Sequence, residues 1–205
     1  MQYPLPLRAE HVTGAKLFAR REDMIRDLAE RLRGGVIAEL GVAFGDFSRF
    51  LIDELTPRRF DAFDVFTLHK SSGVYMGKDV QESLGGRAHL DHYRSRFSAE
   101  IEQKKLHVFV GDATKIKESD AIYDMIYVDA DHSYEGVLAD AHAAISRLKE
   151  DGILIFNDYI MADYIANFPY GVVQVVNELC VNQGWKIVAL AIPHHRFDDV
   201  ALVRA

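Results

Sequence analysis

The stretch that most constrains this chain runs from Val36 to Phe50. Val36, Ile37 and Ala38 lead through Glu39 and Leu40 to Gly41, Gly45 follows after three residues, and Phe47, Phe50, Leu51 and Leu55 then recur at helical spacing. This reads as strand, glycine turn and helix. Glycine at positions 41 and 45 lets the backbone turn tightly and lets a ligand approach with no Cβ in the way. A helix beginning near Asp46 turns its free N–H groups into the same space. A nucleotide-like ligand suits such a crevice.

The spacing is not the dinucleotide G-x-G-x-x-G, because Glu39 and Ala43 stand where further glycines would be, which counts against a nicotinamide-dependent oxidoreductase. E-x-G-x-x-x-G, written by Glu39, Gly41 and Gly45, resembles the first motif of the class I S-adenosylmethionine-dependent methyltransferases. A plain tight turn in an α/β domain is the alternative, and the rest of the chain decides between them.

A length of 205 residues suits a single domain, 1–205, with a sizeable core. The net charge of -7 argues against a general binder of phosphate backbones, so no nucleic-acid partner is expected. Cys180, the single cysteine, lies in an apolar helical pattern with Val176 and Leu179 and reads as a packed thiol. No apolar run is long enough to span a bilayer, and Met1 to Pro6 lacks a signal-peptide core. The expectation is a cytoplasmic protein without a membrane partner.

Residues 1–34 read as covering helices: a short one between Glu10 and Ala19, then a stripe of Met24, Ile25, Leu28 and Leu32 stopped by Gly34 and Gly35. Lys16, Arg20 and Arg21 read as a solvated face. After Pro57, Phe60 to Phe66 is the second strand, with Asp64 near its C-terminal end and Asp61 at its far end. In a doubly wound sheet an acid at the position of Asp64 can accept both ribose hydroxyls of a nucleoside lying across the strand ends. Residues 67–87 are polar and glycine-containing, a lid or acceptor-binding loop in which His69, Lys70 and Tyr75 are candidate substrate contacts. Leu90, Tyr93, Phe97 and Ile101 mark an amphipathic helix.

Leu106 to Val110 is the third strand and runs into Gly111, Asp112 and Ala113; a turn in which Asp112 caps a short helix is one use of these residues. Tyr123 to Val128 is a buried central strand that delivers Asp129, Ala130, Asp131, His132, Ser133 and Tyr134, followed by a long helix. Gly152 to Phe156 ends in Asn157, Asp158 and Tyr159. Adjacent parallel strands would bring these two ends about 4.8 Å apart, so Asp129 and Asp158 could face one cation or one cationic ligand. A helix at Gly171–Val181 and strands at Trp185–Ile192 and Phe197–Val203 complete the chain, with His194, His195 and Arg196 in the connection, bordering the acceptor side. The fold expected is α/β, doubly wound, with a mostly parallel seven-stranded sheet, a C-terminal antiparallel hairpin and helices on both faces.

Glycine turn, acid after strand two and Gly-Asp-Ala after strand three, in that order, strengthen the resemblance to the class I methyltransferases. It implies that Asp112 accepts from the adenine amino group and that the Ala113 N–H meets a ring nitrogen. The Asp129-Ala130-Asp131-His132 run with Tyr134, the later Asn157-Asp158-Tyr159 and the segment Ala19-Arg20-Arg21-Glu22-Asp23-Met24-Ile25 resemble the small bacterial O-methyltransferase-like family related to macrocin O-methyltransferase. More distantly, Asp129 and Asp158 fall where catechol and caffeoyl-CoA O-methyltransferases place metal-binding acids, and His132 falls near their catalytic lysine. Those enzymes usually show an asparagine directly after the second acid, whereas here Tyr159 follows Asp158 and Asn157 precedes it.

The resemblance implies methyl transfer from S-adenosylmethionine to a small-molecule acceptor, with a hydroxyl oxygen as the expected target. Such a displacement needs alignment and removal of the acceptor proton. His132 is the candidate base, with Asp129 beside it, and Mg²⁺ on Asp129 and Asp158 would lower the acceptor's pKa. Helix capping is the expected work of Asp131 and Ser133. A non-catalytic nucleoside-binding protein of the same fold and a homo-oligomer stay open at this point.

Overall fold

The computed structural model describes residues 3–75, 77–165, 167–193 and 197–205. Strand β1 (Lys16–Phe18) precedes helix α1 (Arg21–Leu32), and β2 (Val36–Leu40) runs into α2 (Asp46–Leu55) and β3 (Arg59–Asp64). Beyond β3 come a small hairpin of β4 (Val74–Tyr75) and β5 (Lys78–Asp79), then helices α3 (Val80–Leu84), α4 (His89–Arg96) and α5 (Ser98–Glu102). Strands β6 (Leu106–Val110) and β7 (Tyr123–Val128), helix α6 (Tyr134–Ile145) and strand β8 (Leu148–Phe156) follow. A second hairpin, β9 (Ala162–Asp163) with β10 (Phe168–Pro169), leads to α7 (Val172–Gln183), β11 (Trp185–Ala191) and β12 (Asp199–Arg204).

The main sheet has eight strands in the order β1-β11-β12-β8-β7-β2-β3-β6. All pairings are parallel except those of β12, which runs against both β8 and β11. The eighth strand is β1, in the segment where the sequence suggests a short helix; only Ala9–His11 winds, as one 3-10 turn. Lys16, Leu17 and Phe18 pair instead with Ala189, Leu190 and Ala191, so a free sheet edge overrides a weak local propensity. Strand β3 stops at Asp64, short of Phe66. There the Asp64 carboxylate accepts the Phe66 N–H at 2.6 Å and Phe66 turns to φ 50°. The helix expected over 90–101 is broken at Phe97 into α4 and α5.

Period-two alternation sorts the central strands between two cores. Val36, Ala38, Leu40, Ile126 and Val128 face α6 and α7, packed with Val137, Ala141, Val176 and Leu179. Ile37, Met125 and Tyr127 face α1 and α2, packed with Met24, Ile25, Leu28, Phe47 and Leu51. Glu39 falls on the second face and is paired in register with Tyr127. Cys180 is buried in the first core, where burial raises its pKa to about 11, so the thiol is packed and unreactive.

From β2 the chain moves outward to β3 and β6, then returns to β7 on the other side of β2. Strand order therefore reverses between β2 and β7, and the crevice outside their C-terminal ends is where open α/β sheets hold ligands. The close fit there is set by Gly41. It sits at φ +86°, and a Cβ on it would lie 1.9 Å from the Asp129 carbonyl oxygen. The neighbour that Gly41 admits is the chain's own backbone. Gly41→Ala combines overpacking against main chain with a left-handed backbone, at a cost of about 2–5 kcal/mol. Urea unfolding should register that loss; a variant as stable as the parent would show that the strand ends have room to spare.

Candidate active site

The glycine turn of residues 41–45 lies over the end of β2, and its conformation is held from several sides. Gly41 donates to the Phe63 carbonyl at 2.8 Å, Val42 donates to Asp64 Oδ2 at 2.9 Å, and Gly45 donates back to Val42 at 2.7 Å. Ala43 takes φ 44°, and the His89 ring bonds its carbonyl oxygen. Gly45 at φ +79° precedes α2 and offers no side-chain cap, so the helix N-terminus opens toward the strand ends. A Cβ on Gly45 would approach the Phe97 and Tyr93 rings to 2.8 and 3.0 Å.

Three acids expected at the cofactor end occupy the C-terminal side of the sheet. Asp64 is half-buried, each oxygen accepting one backbone N–H, which leaves lone pairs on both for further donors. Asp112 is exposed at the end of β6 and caps the 3-10 helix Ala113–Glu118, its Oδ1 accepting from the Thr114 N–H at 3.0 Å and from the Thr114 hydroxyl. Ala113 is buried behind it. Glu39 lies beneath the turn, and its Oε2 accepts from Ser48 Oγ. Burial raises its pKa to about 8, against the pull of Ser48 and Arg21. Asp61, at the far end of β3, belongs to a separate buried network with Arg59, His107, Ser119 and Tyr123.

At the ends of β7 and β8, Asp129 and Asp158 converge on His132. Its Nε2 lies 3.6 Å from Asp129 Oδ1 and 3.2 Å from Asp158 Oδ2, with no hydrogen bond of good geometry to either. The ring stacks on Tyr170 at 4.6 Å, and the His132 carbonyl oxygen accepts from the Gly171 N–H at 2.8 Å, so α7 fixes the loop. Burial lowers the His132 pKa, with Asp131 and Asp163 opposing, which keeps the imidazole neutral near pH 7. Burial, and then the Asp199 charge, raise the Asp158 pKa to about 7; burial and Asp158 raise that of Asp129. Asp158 adopts φ 59°, a left-handed backbone that marks stored strain at this end of the sheet. Ser133 caps α6 through the Gly136 N–H, and Asp131 accepts from the Ser133 N–H.

The remaining expected contacts divide. Tyr75, on the hairpin over the turn, meets Phe44 edge-on at 6.0 Å, and burial together with Asp129, Asp158 and Asp64 raises its pKa to about 12. His69 instead accepts from the His89 N–H at the start of α4, and Lys70 is exposed. His194, His195 and Arg196 lie outside the described residues. Lys16 is exposed and pairs with Asp27 at 2.8 Å, and Arg20 pairs with Glu22 at 3.2 Å. Arg21 departs from the solvated face: it lies 4.0 Å over the Phe47 ring and donates to Tyr127 at 3.2 Å, turned into the site. Tyr127 in turn donates to Asp199, which also accepts from Asn157 at 3.1 Å. Among the described residues, no group of three or more His, Cys, Asp or Glu side chains is arranged to hold a metal ion.

Residues 38–159, which carry the glycine turn and both strand-end aspartates, match a family model described as a methyltransferase domain. The chain belongs to that family. It is a methyltransferase, and the matched span starts inside β2 and ends just past Asp158. A search of curated proteins by sequence finds no match. Among solved structures, the O-methyltransferase TomG from Streptomyces achromogenes, in complex with SAM, is 17% identical, with a TM-score of 0.61, 90% of this chain covered and 80% of that one. An rRNA methylase from Streptococcus thermophilus is 16% identical, with a TM-score of 0.59 and 90% and 96% covered. The pyocyanin biosynthetic protein PhzM is 13% identical, with a TM-score of 0.58; 88% of this chain covers 54% of that one, so the chain spans about half its length. These likenesses establish the fold.

The candidate site carries a pH signature of its own. Folded Glu39 holds its proton up to about pH 8, above the ordinary value of 4.5. The stabilisation is therefore complete below the unfolded pKa and is lost as the pH rises through the folded one. In the ligand-free protein Glu39→Gln should abolish that loss between about pH 5 and about pH 9. Its gain on the parent should reach a few kcal/mol, on the order of 1.4 kcal/mol for each tenfold difference in proton affinity. Urea titrations across that range give the answer, and parallel curves for parent and variant would rule out a neutral Glu39.

Proposed function

We propose that this methyltransferase binds S-adenosylmethionine across the ends of β2, β3 and β6 and moves its methyl group to a hydroxyl oxygen of a small molecule. The observation that carries the acceptor assignment is an imidazole set between two carboxyl groups, His132 Nε2 being 3.2 Å from Asp158 and 3.6 Å from Asp129. A hydroxyl must lose its proton as it is methylated, and this is a place for that proton to go. The cofactor supplies an activated methyl on a sulfonium.

The chain's own residues fit the cofactor reading. The uncapped α2 N-terminus and the glycine turn leave main-chain donors beside Gly41 and Gly45, and Asp64 keeps lone pairs for ribose hydroxyls. Glu39 sits under the turn, Asp112 and Ala113 flank the far end, and Phe44 joins the turn to the lid through Tyr75. The 67–87 segment covers the site through the ion pair of Lys78 with Asp46 at 2.6 Å and the packing of Phe44 with Val80 and Leu84. On the acceptor side, Tyr75 and Tyr170 face Asp158 and Asp129. His132 takes the proton, the Asp158 carboxyl group 3.2 Å away answers the imidazolium that results, and Tyr170 holds the ring plane.

A divalent ion on Asp129 and Asp158 is the second reading, resting on those two acids ending adjacent strands. The donor set favours it less. Nε2 of His132 already stands within 3.6 Å of both carboxylates, and Asn157 is spent on Asp199. His132→Gln should lower methyl transfer about 10²–10⁴-fold while cofactor affinity stays unchanged. Transfer should also persist in EDTA. Full activity in His132→Gln would sink the base assignment, and activity lost in EDTA and regained with Mg²⁺ would install the metal in its place.

A further inference from the structure

Four carboxyl groups, Glu39, Asp129, Asp158 and Asp199, crowd the ends of β2, β7, β8 and β12. Like charges so placed repel, and each neighbour's charge opposes ionisation of the next. Among the described residues, the groups facing this cluster from other elements are His132 and Tyr170 beyond β7 and β10, Tyr75 from the 67–87 segment, Tyr127 within the sheet, the acids Asp64, Asp163 and Glu22, and Arg21 at the start of α1. Of these, Arg21 alone is a permanent cation. Its guanidinium is not free to wander: it is stacked over Phe47 at 4.0 Å and tied to the Tyr127 hydroxyl at 3.2 Å, which is itself bonded to Asp199. None of the four carboxylates pairs with it directly within salt-bridge distance, so it serves the group rather than one partner.

We propose that Arg21 is a positioning residue: it is the resident counter-ion of the acid cluster, delivered by helix α1 to the place where two strand-end aspartates would otherwise call for a divalent cation. Burial alone would lower the Arg21 pKa, and Tyr127, Asp199 and Asp129 more than reverse that, which agrees with a guanidinium committed to the cluster. The proposal deepens the metal-independent reading of the same site, and it places α1 among the elements that build it.

The test uses the ligand-free protein, so it does not depend on cofactor or acceptor. Thermal unfolding is followed with and without Mg²⁺ for the parent, Arg21→Met, Arg21→Lys, and Arg21→Met combined with Asp129→Asn. Parent and Arg21→Lys should not respond. Arg21→Met should gain about 3 °C at ~10 mM Mg²⁺, as for a Kd near 1 mM, and the added Asp129→Asn should cancel the gain. If Arg21→Met does not fold, Arg21→Gln, which keeps a hydrogen bond for Tyr127, takes its place in both variants. Variants without the charge that respond to Mg²⁺ no more than the parent, or an Arg21→Lys that responds as strongly as they do, would overturn the proposal. Failure of the parent to bind S-adenosylmethionine in a separate titration would count against the cofactor reading and leave this outcome intact.

Discussion

The contact between Gly41 and the backbone of Asp129 sets the geometry on which the rest depends. Strands β2 and β7 lie on either side of the point where strand order reverses, and at that point there is no room for even one methyl group between them. Leu40 pairs with Val128 and the Asp129 N–H reaches the Leu40 carbonyl at 2.7 Å, so the glycine turn and the acidic turn are fixed against each other. One strand further on, Val128 pairs with Phe156, which brings Asn157 and Asp158 alongside. The site is thus a product of strand register. A helix N-terminus, the half-buried Asp64 and a His–Asp pair are brought together because the strands that carry them end at one edge.

Charge is the second constraint. A sheet edge that presents Glu39, Asp129, Asp158 and Asp199 cannot carry them all ionised without an answering charge, and burial adds to the cost. The molecule meets this in three ways. Protons are retained, as on Glu39; Asp199 is bonded by Tyr127 and Asn157; and Arg21 and His132 stand by from α1 and the β7–α6 loop. Each device also restricts motion, since Phe47 and Tyr127 pin Arg21 and Tyr170 pins His132 in place.

Elements with strong periodicity are legible in the amino-acid sequence alone. Tyr123–Val128 begins and ends where its apolar run does, because a buried parallel strand needs apolar residues on both faces, and the edge strand Leu106–Val110 also keeps the bounds of its apolar run. The Gly41–Gly45 turn, Asp64 and Asp112 stand out through their order along the chain, which a doubly wound fold converts directly into position at the strand ends. What stays hidden does so for tertiary reasons. Lys16–Phe18 has nothing in its sequence to announce a strand, since its partner lies more than 170 residues away in β11. Arg21 looks like any helix-surface cation until Phe47 and Tyr127 are placed beside it. Asn157 stands out of the family order in the sequence, and its partner becomes visible only when antiparallel pairing of β12 with β8 brings Asp199 opposite it. Tyr127 carries a usable signal: period two from Met125 puts it on the face of Glu39.

The crevice at the strand ends must be distinguished from the cleft of about 370 Å³ at the opposite edge, between Ile52, Phe60, Ala99 and Leu106, where Asp53 and Glu100 are both engaged by Arg49. Amide hydrogen exchange with and without S-adenosylmethionine separates them most directly. Protection should rise over residues 41–47, 64–67 and 111–115 and stay unchanged around Ile52, Phe60 and Leu106. No change at the strand ends, or protection gathered at the opposite cleft, would contradict the placement of the cofactor at the β2–β7 switch point.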